Sequence, residues 1–325
     1  MHINVIGVPL YLGCDRKGVE LGPDKLREKH LIDTIESHHL DVLDTGNIRV
    51  AEVNDEDKFK DHKQMKYLNE IVEVNTKLAE EVYQSFENNQ FPLVIGGDHA
   101  LGLGSVAGSS RYFEDIAVIW VDAHGDINTP ETSPSGNVHG MPLGASLGAG
   151  DQQLTDLYFK GVKVKPENVF IIGASDLDPG EIKLAEEKNI NIYDIDLIRQ
   201  QGIEVVMKTV VNEIKRRDIQ AIHLSYDLDS MDGPLVPGTG LPIPGGFSVN
   251  QVKTIFKALF ETELVRSMDI VELNPLLDKN DQTAELAIDI VDYSAKLIAS
   301  MESAQSTEEN VEKDFNVDLG FKPIS

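Results

Sequence analysis

The chain has 325 residues, 41% of them hydrophobic, and sets 29 basic against 55 acidic residues for a formal net charge of −26. Such a balance repels phosphate backbones and anionic membranes, so neither nucleic acid nor membrane is expected as a partner, whereas a cationic small molecule is attracted; a charge excess of this kind is also a common solubility device. No run reaches the ~20 apolar residues of a membrane span, and a single cysteine, Cys14, excludes an intramolecular disulfide, which reads as a reduced cytoplasmic protein.

In chain order, the start Met1-His2-Ile3-Asn4-Val5 lacks the basic region of a signal peptide and reads as a first strand. Strand-like runs lie at 3–7, 41–43, 92–96, 116–121, 168–173, 190–193, 221–226 and 268–273. Several are almost continuously apolar, the pattern of parallel strands covered on both faces. Helical stripes lie between them. One, over 67–86, is Leu68, Ile71, Val72, Leu78, Ala79, Val82 and Phe86; another, over 284–298, is Ala284, Ala287, Ile288, Val291, Ala295 and Ile298. The alternation predicts an α/β protein with one open, mostly parallel sheet of about eight strands and right-handed crossovers. With no internal repeat and no long linker, residues 1–302 read as a single domain. Residues 129–150, rich in Ser, Pro and Gly, read as a long functional loop. Residues 303–325, acidic up to Asp318, read as a flexible or peripherally docked tail.

Ligands of open α/β sheets bind at the carboxyl ends of the strands. Four predicted strand ends here carry acidic or imidazole groups: Gly96-Gly97-Asp98-His99, Asp122-Ala123-His124-Gly125-Asp126, Ser225-Tyr226-Asp227-Leu228-Asp229 and Glu272-Leu273-Asn274-Pro275. A lone Asp or His after a strand is usually a cap or a structural group; four clusters at four ends are not. In an extended chain Asp122, His124 and Asp126 would point the same way, and converging carboxylates and imidazole require a cation between them. The set His99, Asp122, His124, Asp126, Asp227 and Asp229 suits two metals better than one. Lacking thiolates, it argues against structural zinc and for Mn²⁺ or a similar divalent ion. The charges of two such ions and four aspartates cancel, so a bridging hydroxide leaves the cluster at one net negative charge, next to which a cationic substrate is favoured.

These motifs, with Ser-Gly-Asn-Val-His-Gly at 135–140, Asp-Ile-Val-Glu-Leu-Asn-Pro at 269–275 and Gly-Val-Glu-Leu-Gly-Pro at 18–23, resemble those of the ureohydrolases, the family of arginases and agmatinases, in order from about residue 3 to 300. The resemblance is closest to the arginases. It implies a three-layer α/β/α fold and two Mn²⁺ ions per chain. One would be held by His99, Asp122, Asp126 and Asp227 and the other by His124, Asp122, Asp227 and Asp229. It implies hydrolysis of L-arginine to L-ornithine and urea by attack of the metal-bridging hydroxide on the guanidinium carbon. His139 resembles the proton shuttle, Asp126 the relay to the leaving nitrogen, and Glu272 the group that pairs with the substrate guanidinium. Asn128 and Ser135 stand where the arginases recognise the α-carboxylate, and Asp178 and Glu181 where they meet the α-amino group. Asp178-Pro179-Gly180-Glu181 is equally a helix N-terminus.

Three positions depart from the common pattern. Asp232 is followed by Gly233 where relatives have Pro. Leu241 replaces a Thr that lies near the guanidinium, predicting weaker binding or altered guanidine selectivity. Val249-Asn250-Gln251 replaces an Arg-Glu pair that helps join subunits, so the homo-oligomer, trimer or hexamer, implied by the family would need other contacts. An agmatinase or other guanidino-compound hydrolase is the alternative within the family. From another class, a non-catalytic metal-binding or regulatory protein is opposed by the filled ligand set and Glu272, and a single-zinc deacetylase by the second ligand set.

Overall fold

The computed structural model describes residues 2–318, the side chains of 302–318 excepted. Eight strands, β1 (His2–Val8), β2 (Asp41–Asn47), β3 (Gln90–Gly96), β4 (Ile116–Val121), β5 (Val169–Ile172), β6 (Asn191–Tyr193), β7 (Ala221–Asp227) and β8 (Val265–Val271), form one sheet in the order β2-β1-β3-β8-β7-β4-β5-β6. Every pairing is parallel.

The unbroken apolar strands are explained by the two layers that cover them. In β4, Ala117, Ile119 and Val121 face a core built with helices Ile203–Arg216 and Val249–Phe260. Ile116, Val118 and Trp120 face the opposite core, which takes in Val106 of helix Gly102–Tyr112. Alternate residues therefore enter opposite layers and both must be apolar. The striped helices are Leu68–Glu87 and Gln282–Asp318. The latter runs on through Asp318 into the segment read as a tail; residues 319–325 lie outside the described residues.

The predicted strands and the observed ones agree to within a few residues. β2 reaches Asn47 because its second half, Asp44-Thr45-Gly46-Asn47, is an exposed edge paired only with β1 and needs no apolar pattern. β8 begins at Val265, three residues before its apolar run, because Arg266 and Ser267 lie within it. The 129–150 loop contains a turn at Val138–Gly140 and a short helix, Pro142–Ser146, started by its proline. Five residues are too few to show a helical period. No helix among the described residues is long and apolar enough to cross a membrane.

The topology settles where a site forms. β3, β8, β7 and β4 are far apart in sequence yet adjacent in the sheet. The four strand ends that carry acidic or imidazole motifs are those four, side by side.

Candidate metal centre

After β3 the chain turns sharply. A Cβ on Gly97 would lie 1.9 Å from the Leu10 carbonyl oxygen, so only glycine fits. Asp98 caps the next turn: its Oδ1 accepts from the Ala100 amide at 3.1 Å and its Oδ2 from the Cys14 amide at 2.9 Å. That places His99 inward, its ring stacked on Trp120 at 3.9 Å. After β4, Asp122 accepts from Trp120 Nε1 at 3.0 Å through Oδ2 and from the His124 amide at 2.8 Å through Oδ1. The Asp122–Asp126 segment is bent, not extended, and Asp126 has a left-handed φ of 52°. The three side chains thus converge through a turn and not through strand alternation. After β7, Asp227 Oδ1 accepts from the Asp229 amide at 2.7 Å.

His99 Nδ1 lies 3.0 Å from Asp122 Oδ2, 3.1 Å from Asp126 Oδ2 and 3.2 Å from Asp227 Oδ2. His124 Nδ1 lies 3.3 Å from Asp122 Oδ1 and 3.3 Å from Asp229 Oδ2. The donor atoms form two groups able to hold an ion, His99/Asp122/Asp227 and Asp122/His124/Asp229, which share Asp122.

The residues fit cations. His99 Nδ1 and Asp229 Oδ1 are buried and without a hydrogen-bond partner. Burial and the facing carboxylates Asp229 and Asp122 raise the Asp227 carboxyl well above its ordinary range. Burial lifts Asp229 to about 6 against the pull of His124. Asp122, also buried, is held far below the ordinary range by its two imidazoles. Buried carboxylates that push one another toward neutrality are stabilised by a positive charge among them.

The cluster lies in a cavity of about 340 Å³ whose lining includes His139, Glu272, Asn128, Ser135, Asp178, Glu181 and Leu241. Glu272, with a left-handed φ of 69°, donates its amide to the Gly97 carbonyl, and its Oε1 accepts from the His99 amide at 2.9 Å and lies 3.3 Å from His139 Nδ1. Asp126 and Glu272 are the two site residues among the non-glycine residues held in this sparsely populated backbone region. Asn128 donates Nδ2 to Asp178 Oδ2 at 2.9 Å. Ser135 accepts from the Asn137 amide, leaving its own proton to donate. Asp178 and Glu181 form a capping box for helix Pro179–Lys188. Glu181, buried, accepts from the Ile127 and Asp178 amides and is pushed up to about 7 by its burial.

Two lining residues escaped the sequence reading. Arg16 donates Nη1 to the Gly240 carbonyl beside Leu241, two residues before the Gly18–Pro23 motif. Asn137, inside the Ser135–Gly140 motif, donates to the Cys14 carbonyl at 3.0 Å and accepts from Lys66 Nζ at 2.8 Å, tying three loops at the mouth. Partners so distant in sequence leave no local signal. Gln251 accepts from the Ser248 amide as the capping partner of helix Val249–Phe260, which accounts for its place in that departure.

A three-layer α/β/α fold in which the ends of β3, β4 and β7 deliver two histidines and four aspartates to one buried point, with Glu272 beside them from the end of β8, defines a metal-binding α/β/α protein. The sequence model of the Arginase family matches residues 1–295. The chain is 42% identical over 289 residues to an arginase of Staphylococcus aureus (strain COL), covering 89% of this chain and 95% of that one. It is 40% identical over 290 residues to an arginase of Bacillus subtilis (strain 168), covering 89% and 96%. The native structure of an arginase from Bacillus caldovelox superposes with a TM-score of 0.85 at 40% identity, covering 91% of this chain and 97% of that one. The chain belongs to the Arginase family and is an arginase-type hydrolase.

Proposed function

We propose that the protein hydrolyses L-arginine to L-ornithine and urea, with His99, Asp122, Asp126 and Asp227 holding one Mn²⁺ ion and His124, Asp122, Asp227 and Asp229 a second. One observation carries the reading: a single cavity lined by members of both ligand groups is also lined by a carboxylate, Glu272, by the neutral donors Asn128 and Ser135, and by Asp178. That is the complement of a molecule with a guanidinium at one end and an amino acid at the other. Mn²⁺ is chosen because the ligands are carboxylates and imidazoles without thiolate. When bound, such a pair supplies a water ionised near neutral pH and positive charge for the transition state.

The chain's own groups do the rest. Glu272 has Oε1 committed to the His99 amide and His139, and Oε2 faces Gly240, free to receive a guanidinium N–H. Asn128 keeps one amide proton and Ser135 its hydroxyl for the α-carboxylate. Asp178 is better placed than Glu181 for the α-amino group, since both Glu181 oxygens already accept backbone amides. Water adds across the bond between the guanidinium carbon and the δ-nitrogen. Asp126 relays a proton to that nitrogen, and His139 exchanges protons with solvent. A cytoplasmic homo-oligomer, trimer or hexamer, is proposed on family likeness alone.

The test is urea release after Mn²⁺ loading, with arginine and agmatine compared side by side. Activity on arginine is expected. Activity on agmatine alone would make the protein an agmatinase, and none on any guanidine would favour a binding role.

A further inference from the structure

We propose that Asp269 sets the proton arrangement of His99 through Ser225, so that His99 presents an unprotonated Nδ1 to its ion; the inference rests on the metal-centre reading above. Ser225 and Asp269 open two of the motifs singled out in the sequence, yet neither has a part in the reaction as derived. They face each other across β7 and β8 in register, as His223 and Ser267 do two residues earlier. His99 Nε2 lies 2.9 Å from Ser225 Oγ, and Ser225 Oγ donates to Asp269 Oδ2 at 3.1 Å. The same carboxylate oxygen accepts from Ser105 Oγ at 2.6 Å and lies 3.0 Å from His223 Nε2. His99, Ser105, His223, Ser225 and Asp269 are all at most 1% exposed.

Such a polar group between sheet and helix is costly in a layer otherwise apolar, and packing gives it no reason to be there. The direction of its hydrogen bonds supplies one. A carboxylate can only accept. The Ser225 proton is therefore committed to Asp269, and Ser225 has only lone pairs left to offer His99. His99 Nε2 must then carry the proton, and Nδ1 is left bare, pointing at Asp122, Asp126 and Asp227. The buried Asp269 fixes which ring nitrogen can ligate, the general role of an outer partner of a metal-bound imidazole. Asp269 and Ser225 are positioning residues here.

The test is Mn²⁺ titration of the metal-free full-length chain, read by the signal of free Mn²⁺ in electron paramagnetic resonance. Ser225→Ala is expected to weaken one of two ions by roughly 10- to 100-fold. Ser225→Thr, which keeps the hydroxyl, is expected to restore it. Ser105→Ala removes a different donor from the same Asp269 oxygen and is expected to change affinity less than about twofold, because it is off the path to His99. Two ions bound equally well by wild type and Ser225→Ala would overturn this inference alone. Equal weakening by Ser105→Ala and Ser225→Ala would also overturn it, showing a general disturbance of the core. Wild type that binds no ion would overturn the metal-centre reading with it. If Ser225→Ala does not fold, nitrogen NMR of the Zn²⁺-loaded wild type decides. A proton on His99 Nε2 supports the relay, and a bare Nε2 overturns it.

Discussion

His139 Nδ1 lies 3.3 Å from Glu272 Oε1, the oxygen that also accepts the His99 amide. Burial opposes charge on both partners, but each overcomes it for the other: Glu272 raises the imidazole and His139 lowers the carboxyl. Each partner therefore favours the charged form of the other. His139→Asn leaves Glu272 in place and removes the titrating group. Turnover is expected to fall by roughly 10²-fold or more, the usual worth of a general acid or base, with two Mn²⁺ ions still bound. Unchanged turnover would remove His139 from the proton path.

Leu241 lines the cavity and is 47% exposed, so replacing it costs no core packing. Its side chain can neither donate nor accept. Leu241→Thr places a hydroxyl beside Gly240, whose carbonyl Arg16 already holds. One added hydrogen bond of about 0.5–1.5 kcal/mol corresponds to a KM lower by roughly 2- to 10-fold. Steady-state kinetics with arginine checks this; identical KM and kcat would show that the hydroxyl does not reach the substrate.

How far these features were legible follows from their range. The apolar runs of β3, β4 and β7 show plainly because each residue enters one of two apolar layers. The His and Asp ligands show because they cluster within a few residues after those strands. What did not show depends on long-range approach. The hold of Arg16 on Gly240 and the Asp269–Ser225–His99 chain each join segments that only the strand order brings together. Asp178 and Glu181 were legible in two ways, and the capping box is the one the hydrogen bonds display.

Asp15 lies between Lys58 Nζ and Lys66 Nζ, 3.0 Å from each, and Lys66 in turn holds Asn137. Burial raises the Asp15 carboxyl, but the two ammonium groups outweigh it and hold it below its ordinary 3.8. A carboxyl lowered in the folded state adds stability above its unfolded pKa and loses it as pH falls through the folded value. Asp15→Asn is therefore expected to lower stability by about 1 kcal/mol at pH 7, the difference from wild type closing as pH falls below 3.8 through the folded value. Denaturant midpoints of both proteins across that range measure it. A difference independent of pH would assign the loss to packing instead of charge.

Asp122 belongs to both ligand groups and is wholly buried. Asp122→Asn keeps an oxygen for Trp120 Nε1 but removes the shared negative charge. In wild type, an ion at a hundred times its dissociation constant adds about 2.7 kcal/mol, which raises Tm by roughly 4 °C in a chain of this size. The variant is expected to lose most of that rise. Acid should erase the rise in wild type too, because ligands must be deprotonated to bind. Burial sets Asp229 at about 6 and Asp227 well above its usual range, so protons compete with the ion as pH falls toward and below 6. Melting with and without Mn²⁺ at pH 8, 6.5 and 5 tests both points. The Tm difference should be largest at pH 8 and smallest at pH 5; a constant difference would mean that these aspartates are not the ligands.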